Sequence, residues 1–428
     1  MLKRILSVML ALTLAAAAVG CTGPAPSVPA ENGGDQSGAL PADNDAKYMN
    51  RPGESLPISL YSGSAKFMLD REYSPLYTDA NNQFAATMLK AMDKNANCVV
   101  SPLSLEIALQ LLANGGNEAT RDALLASICP GLTREDVNAS CARLIEKLLS
   151  TNGVTVSNAV VANSAFRLNT EFVNTAADYF RSSVGAIDFG DPEAALDRIN
   201  SWVKEHTDGL IEKLLEDVGA DTAIVILNAL TLKLEWAKPF NALRELMTFN
   251  GAKGVEYAPV ILSVNEFGYG EFDEGRMALI PYNGGEYAMA VVLPNEGVSP
   301  ADAAAALMGR TGDCKPSCVS VKMPKVELSN RIDILGMADK LGIADGVRGS
   351  FPNMLDDGNA VVSQIVQGAS LSVTEYGTVA AASTAVVATK GLPPEAQHEI
   401  VCDRPYAMFI YHIETGAVLF AATVCDVG

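Results

Sequence analysis

Glu375-Tyr-Gly-Thr-Val-Ala-Ala-Ala-Ser-Thr-Ala-Val-Val-Ala-Thr-Lys-Gly391 is the stretch on which the reading of this 428-residue chain turns. From Thr378 to Thr389 it carries no charge, no proline and no large side chain. Laid out as a strand, alternate residues point to opposite faces. One face presents Thr378, Ala380, Ala382, Thr384 and Val386; the other presents Val379, Ala381, Ser383, Ala385 and Val387. Core strands usually hold bulkier β-branched or aromatic groups, and a helix would be weakened by this many Thr, Ser and Val residues. Side chains this modest suit a segment that lives exposed and then enters a sheet. A plain core strand and an alanine-rich buried helix stand as the alternatives. Gly377 suits a hinge, and Lys390-Gly391-Leu392-Pro393-Pro394-Glu395 ends the pattern with turn formers.

Outward from this segment, strand-like runs occupy Ala223–Lys233, Met277–Pro281, Tyr287–Pro294, Val319–Met323, Ala360–Val373, Tyr406–His412 and Ala417–Val424. Helical periodicity predicts helices over Gln83–Met92, Ser104–Asn114 and Ala194–Glu205, with Pro102 opening the second where a missing N–H costs nothing. Helices come early and strands late, an α+β arrangement rather than alternating βαβ units. No linker divides the chain after about residue 75, which predicts a single domain over 75–428. Its hydrophobic content of 49% suits a large core. A net charge of −19 argues against nucleic acid, whose phosphates need a basic face. Three histidines, His206, His398 and His412, stand in unrelated contexts, which argues against a His-rich zinc site.

Residues 1–20 read as a signal peptide: Lys3 and Arg4, then an apolar run too short for a permanent membrane span. Ala18-Val19-Gly20-Cys21 resembles a bacterial lipobox with Ala18 in place of the usual leucine. Lipidation at Cys21 is the expectation, with plain secretion the alternative. Residues 21–74, rich in Pro and Gly, read as a flexible tether. Apart from Cys21, the cysteines are Cys98, Cys129, Cys141, Cys314, Cys318, Cys402 and Cys425. Spacing alone assigns no pairing, although Cys314 and Cys318 lie in a turn-like stretch that suits closing a small loop.

Several ordered motifs resemble those of the serpins, protease inhibitors that insert a reactive loop into their own sheet. They are Asn97-Cys-Val-Val-Ser101-Pro102-Leu-Ser104, Asn163-Ser-Ala-Phe-Arg-Leu, Ile199-Asn-Ser-Trp202-Val203 and Thr207-Asp-Gly209-Leu-Ile211. Ile226-Leu-Asn228-Ala229-Leu, Trp236-Ala-Lys-Pro239-Phe240, Leu341-Gly342-Ile343, Asp403-Arg404-Pro405-Tyr406 and Thr415-Gly416-Ala-Val-Leu419-Phe420 complete the set. The resemblance implies the serpin fold, α+β in one domain, with three β-sheets, about nine helices and an exposed reactive loop.

It also implies roles. Glu375, Gly377, Thr378, Ala380, Ala381 and Ala382 fall on the hinge of the loop. Ser101, Ser104, Asn228 and Gln367 fall on a polar cluster that controls sheet opening, Gln367 replacing a frequent histidine. Trp236 falls where insertion begins. Seventeen residues counted from Glu375 place the reactive bond after Gly391, before Leu392; a one-residue slip places it after Lys390. Gly391 suits an elastase-like or subtilisin-like protease and Lys390 a trypsin-like one. Cleavage at Val387, Ala388 or Thr389 by an elastase is a third option. Val379, where Glu is frequent, and Tyr376 depart from the inhibitory pattern.

The resulting expectation is a monomeric, non-catalytic inhibitor of extracellular serine proteases, without metal or cofactor. Its contact with a membrane would be only through the lipid on Cys21, at the outer face of a bacterial membrane. One alternative keeps the fold as a non-inhibitory binding or chaperone-like surface protein. A serine hydrolase would need a nucleophile elbow, and no Gly-x-Ser-x-Gly occurs. A passive binding lipoprotein fits the tether but leaves the Glu375–Gly391 pattern unexplained.

Overall fold

The computed structural model describes residues 49–61, 71–151, 153–356, 362–378 and 395–427. In its first half, β1 (Leu56–Ser59), α1 (Pro75–Ala91), β2 (Cys98–Val100), α2 (Pro102–Gly115), α3 (Glu118–Ile128) and α4 (Arg134–Leu149) come in turn. They are followed by β3 (Val154–Asn163), α5 (Thr170–Phe180), β4 (Ser183–Ile187) and α6 (Pro192–His206). Strands then dominate: β5 (Ile224–Leu232), β6 (Leu234–Glu235), β7 (Asn241–Gly251), β8 (Gly254–Glu271), β9 (Gly275–Pro281) and β10 (Tyr287–Pro294). After α7 (Pro300–Leu307) come β11 (Lys315–Pro324), β12 (Val326–Asp333), α8 (Ala338–Leu341) and α9 (Ala344–Val347). The last elements are β13 (Val362–Val373), β14 (Gly377–Thr378), β15 (His398–Val401), β16 (Tyr406–His412) and β17 (Val418–Val424).

The strands form two hydrogen-bonded sheets. In the first the order is β1-β4-β3-β5-β13-β14-β6, with β12 beside β13; in the second it is β15-β11-β8-β9-β10-β16-β17-β2, with β7 beside β8. β8 belongs to both halves of the second sheet, pairing with β11 on one and β9 on the other. Divided at β8, the network is the three-sheet α+β architecture expected.

Within the first sheet, β5 is buried on both faces. Val225, Leu227 and Ala229 of β5 pack toward Ile199, Trp202 and Val203 of α6. Ile224, Ile226 and Leu230 face the core shared with α2. Burial on two faces explains why Ala223–Lys233 reads as a nearly unbroken apolar run. α1 starts at Pro75, well before the periodic stretch from Gln83, because Asn81 and Thr78 are buried polar residues that bond Val418 and Thr415 carbonyls.

Two expectations are corrected. Residues 49–61, assigned to the flexible 21–74 tether, are packed: Met49 and Asn50 are buried and β1 is a strand of the first sheet. The low apolar content there hid a segment held mainly by hydrogen bonds. Cys314 and Cys318 do not close a loop, because Cys318 lies within the extended β11 that Cys314 immediately precedes. At about 3.3 Å per residue they stand roughly 13 Å apart, beyond the reach of a disulfide. The seven described cysteines are free thiols.

Candidate functional site

The central feature is the seam between β5 and β13. The two strands pair directly in parallel, Val362 with Ile224 and then Gln364 with Val225 through Ala369 with Leu230. Beyond this pair they part, and β6 continues the line of β5. β14 occupies the gap, antiparallel to both neighbours: Thr378 pairs with Val373 and Leu234, and Gly377 with Glu235. We call this the upper end. A tight turn reverses the chain there, the Thr374 N–H donating to the Gly377 carbonyl at 2.9 Å. Gly377 is required by space, since a Cβ would collide with the Leu234 carbonyl oxygen.

Trp236 anchors the upper end. Its backbone N–H donates to the Tyr376 carbonyl at 2.9 Å and its ring Nε1–H to the Thr374 carbonyl at 2.9 Å. Its ring stacks on Tyr282, centroids 4.6 Å apart. The Phe240 N–H donates to the Glu375 carbonyl at 2.8 Å, and the Glu375 carboxylate pairs with Lys325 Nζ at 2.6 Å. Burial works to raise the Glu375 pKa; the Lys325 ammonium and a backbone bond outweigh it and hold the carboxyl below its ordinary range. Thr378 is fully buried, its hydroxyl facing that of Tyr282.

Lower on the seam sits a polar cluster. Asn228 and Gln367 are direct partners across the β5–β13 pair, and Gln367 Nε2 donates to Asn228 Oδ1 at 2.8 Å. The same amide donates to the Ser101 carbonyl at 2.7 Å and accepts from the Ser101 N–H at 3.2 Å. Asn228 Nδ2 donates to Ser104 Oγ and Asn158 Oδ1, each at 2.6 Å. The Ser101 hydroxyl donates to the Leu419 carbonyl at 2.9 Å. Ser101, Ser104, Asn228 and Gln367 are wholly buried. One network therefore ties together β3, β5, β13 and the start of α2, so the seam cannot widen without breaking amide bonds.

All four residues of the expected cluster thus meet, and Glu375, Gly377, Thr378 and Trp236 meet at the upper end. Ala380, Ala381, Ala382, Lys390, Gly391, Leu392 and Cys21 lie outside the described residues. Sequence reading missed Asn158, Tyr282 and Lys325. Asn158 had a signal, an amide inside the apolar run Val154–Ala162; Lys325, between Pro324 and Val326, had only its place at a strand junction.

Residues 79–427 match the family described as serpin (serine protease inhibitor). Plasminogen activator inhibitor 1 of Bos taurus is 28% identical over 393 residues, covering 87% of this chain and 96% of that protein. Glia-derived nexin of Homo sapiens is 30% identical over 352 residues, covering 77% and 87%. The crystal structure of tengpin, a thermophilic serpin in the native state, superposes with a TM-score of 0.74 at 22% identity, covering 85% of this chain and all of that one. Such relatives support protease inhibition in general, a role in which the inhibitor itself performs no catalysis. Because the match runs from inside α1 to Val427, it takes in both strands of the seam and the turn that feeds it, and the chain belongs to the serpin family.

Proposed function

We propose that this protein is a suicide-substrate inhibitor of extracellular serine proteases. The observation that carries the reading is the seam: β5 and β13 pair directly, while β14 has entered at the upper end in the orientation a further strand would take. A strand inserted below Thr378 would replace one β5–β13 interface by two. Residues 378–389 have the small, uncharged side chains such a path needs. Each added hydrogen bond contributes roughly 0.5–1.5 kcal/mol net, so ten of them release on the order of 10 kcal/mol. Twelve residues extend about 40 Å at ~3.3 Å each. A protease held as an acyl-enzyme on the loop is carried that far, and distortion of its site before water clears the bond leaves it trapped.

The reactive bond is assigned to Gly391–Leu392, with Lys390 as the alternative. The favoured targets are elastase-like or subtilisin-like proteases, trypsin-like ones if Lys390 is used. Residues 21–48 then tether the domain, and Cys21 carries the lipid that holds it at the outer face of a bacterial membrane.

The test is incubation with elastase, subtilisin and trypsin, followed by denaturing electrophoresis, mass measurement and thermal melting. A denaturation-resistant adduct, a peptide starting at Leu392 and a raised melting temperature after nicking are expected. Two fragments, a fully active protease and an unchanged melting temperature would favour the non-inhibitory binding role instead.

A further inference from the structure

Residues 49–61 precede the region that matches the family, yet they are built into the first sheet. β1 pairs antiparallel with β4, Leu56 opposite Ala186 and Ser59 opposite Val184. Gly185 makes the approach possible: a Cβ there would lie 2.8 Å from Ile58 Cγ1 and 2.9 Å from Ile58 Cα. Ile58 packs against the cluster beneath α6 and Leu56 against the main core. Upstream, the Met49 N–H donates to the Leu168 carbonyl at 2.8 Å, and the Gly53 N–H to the Ser164 carbonyl at 2.7 Å. Asn50 is the densest contact. Its Nδ2 donates to the carbonyls of Phe166 at 3.0 Å and Glu54 at 3.1 Å, and its Oδ1 accepts from the Leu168 N–H at 2.8 Å.

The turn that receives these bonds, residues 164–169, leaves β3 at the lower end of the seam, where Ile224 pairs with both Val362 and Ala162. Its other side is bonded to the chain that leads toward β13. Leu168 bridges Leu355, the Asn169 N–H donates to the Met354 carbonyl at 2.8 Å, and the Asp356 N–H donates to the Arg167 carbonyl at 3.1 Å. Arg167 Nε and Asp356 Oδ2 pair at 2.7 Å. Residues 350–353 are in turn fixed to the end of α2 and start of α3: the Asn117 N–H donates to the Ser350 carbonyl at 3.0 Å, and the Asn353 N–H to the Gly115 carbonyl at 3.1 Å. One turn therefore joins the β3–β5 side of the seam to the β13 side.

We propose that Met49–Ser59 is a strap that holds this junction in its closed geometry and so sets how slowly the seam opens in the uncut protein. Opening moves β3, β4 and β5 away from β13 and must pull residues 167–169 from residues 354–356. The strap fixes the shape of that turn in advance, so the junction forms without further ordering. Without it the turn relaxes, the junction loosens and β5 parts from β13 more readily. This proposal rests on the metastable reading of the preceding section.

The experiment uses the full chain and two variants that act on opposite sides of the contact. Asn50→Ala removes the amide bonds of the strap, and Gly185→Val places side-chain atoms where Ile58 now lies. Amide exchange of β5 and β13, and the rate at which uncut protein turns into a heat-resistant conformer, are followed on incubation. Both variants are expected to exchange and convert at least roughly tenfold faster, the size of one or two lost hydrogen bonds. Parental rates in either folded variant would overturn the strap, as would unfolding without faster exchange confined to the seam; if one variant fails to fold, the other decides. If nicking the parent yields no heat-resistant form, the inhibitory reading fails by itself. The strap then stands or falls on exchange in β5 and β13 alone.

Discussion

At its upper end the seam between β5 and β13 is already divided by Gly377 and Thr378, and most bonds there end on backbone carbonyls. A few residues lower it is closed, and side-chain amides hold it. The two regions solve opposite problems. Backbone pairing accepts whatever small residue follows, so the upper end suits entry of a strand whose side chains vary. Amide pairing depends on individual partners and geometry, so the lower region suits resistance to opening. A buried network of this kind is costly when half-satisfied, which makes a partial opening unfavourable and the transition closer to all-or-none.

The largest effect is expected at the point of entry. Thr378→Arg would place a guanidinium in a fully buried position against Tyr282, and desolvation of an unpaired charge costs several kcal/mol. β14 should leave the sheet, and the yield of denaturation-resistant protease adduct should fall at least about tenfold while cleavage of the loop continues. An unchanged yield, read by densitometry of the adduct, would mean that entry does not begin at Thr378.

Asn228→Leu tests the lower region. It leaves Gln367, Ser104 and Asn158 facing an apolar group, and each orphaned polar group costs about 1–3 kcal/mol. Urea denaturation of the uncut protein should show a loss on the order of 3 kcal/mol, with the nicked protein losing less. Equal losses in both forms would erase the distinction between the two regions.

The smallest effect is expected at the Lys325–Glu375 pair. Lys325→Met removes a partly screened ion pair worth about 1 kcal/mol. Glu375 sits below its ordinary pKa in the folded protein, so its contribution is present above the unfolded carboxylate pKa of about 4.3 and is lost as pH falls through the folded value. The gap in stability between parent and variant should therefore close on acidification below about pH 4. A gap that persists there would assign the loss to packing of the lysine stem.

Much of this site could be read from residue patterns because its parts are local in sequence. Ile224–Leu232 is a long apolar run, Val362–Val373 mixes apolar residues with Ser, Gln and Gly, and Gly377 with Thr378 follows it after three intervening residues. Asn228 and Gln367 entered through the resemblance to the serpins rather than through any pattern of their own. Lys325 and Tyr282 were missed, since a lysine after a proline and a tyrosine after a strand are ordinary until a fold brings Glu375 and Trp236 beside them. The strap was missed for the same reason. Its stretch, Met49 to Ser59, has little periodic apolar patterning, and its hold comes from Asn50 bonds to residues more than a hundred positions away.

The residues alone determined that this chain builds an α+β domain with a small-residue segment after a hinge glycine, because periodicity, side-chain size and charge are properties of neighbours along the chain. Only the tertiary structure decided that β5 and β13 touch, that Gly377 and Thr378 already lie between their upper ends, and that Met49–Ser59 belongs to the sheet. Strand partnership is fixed by which backbone groups find bonds across long separations, and that information is not carried by any single stretch of sequence.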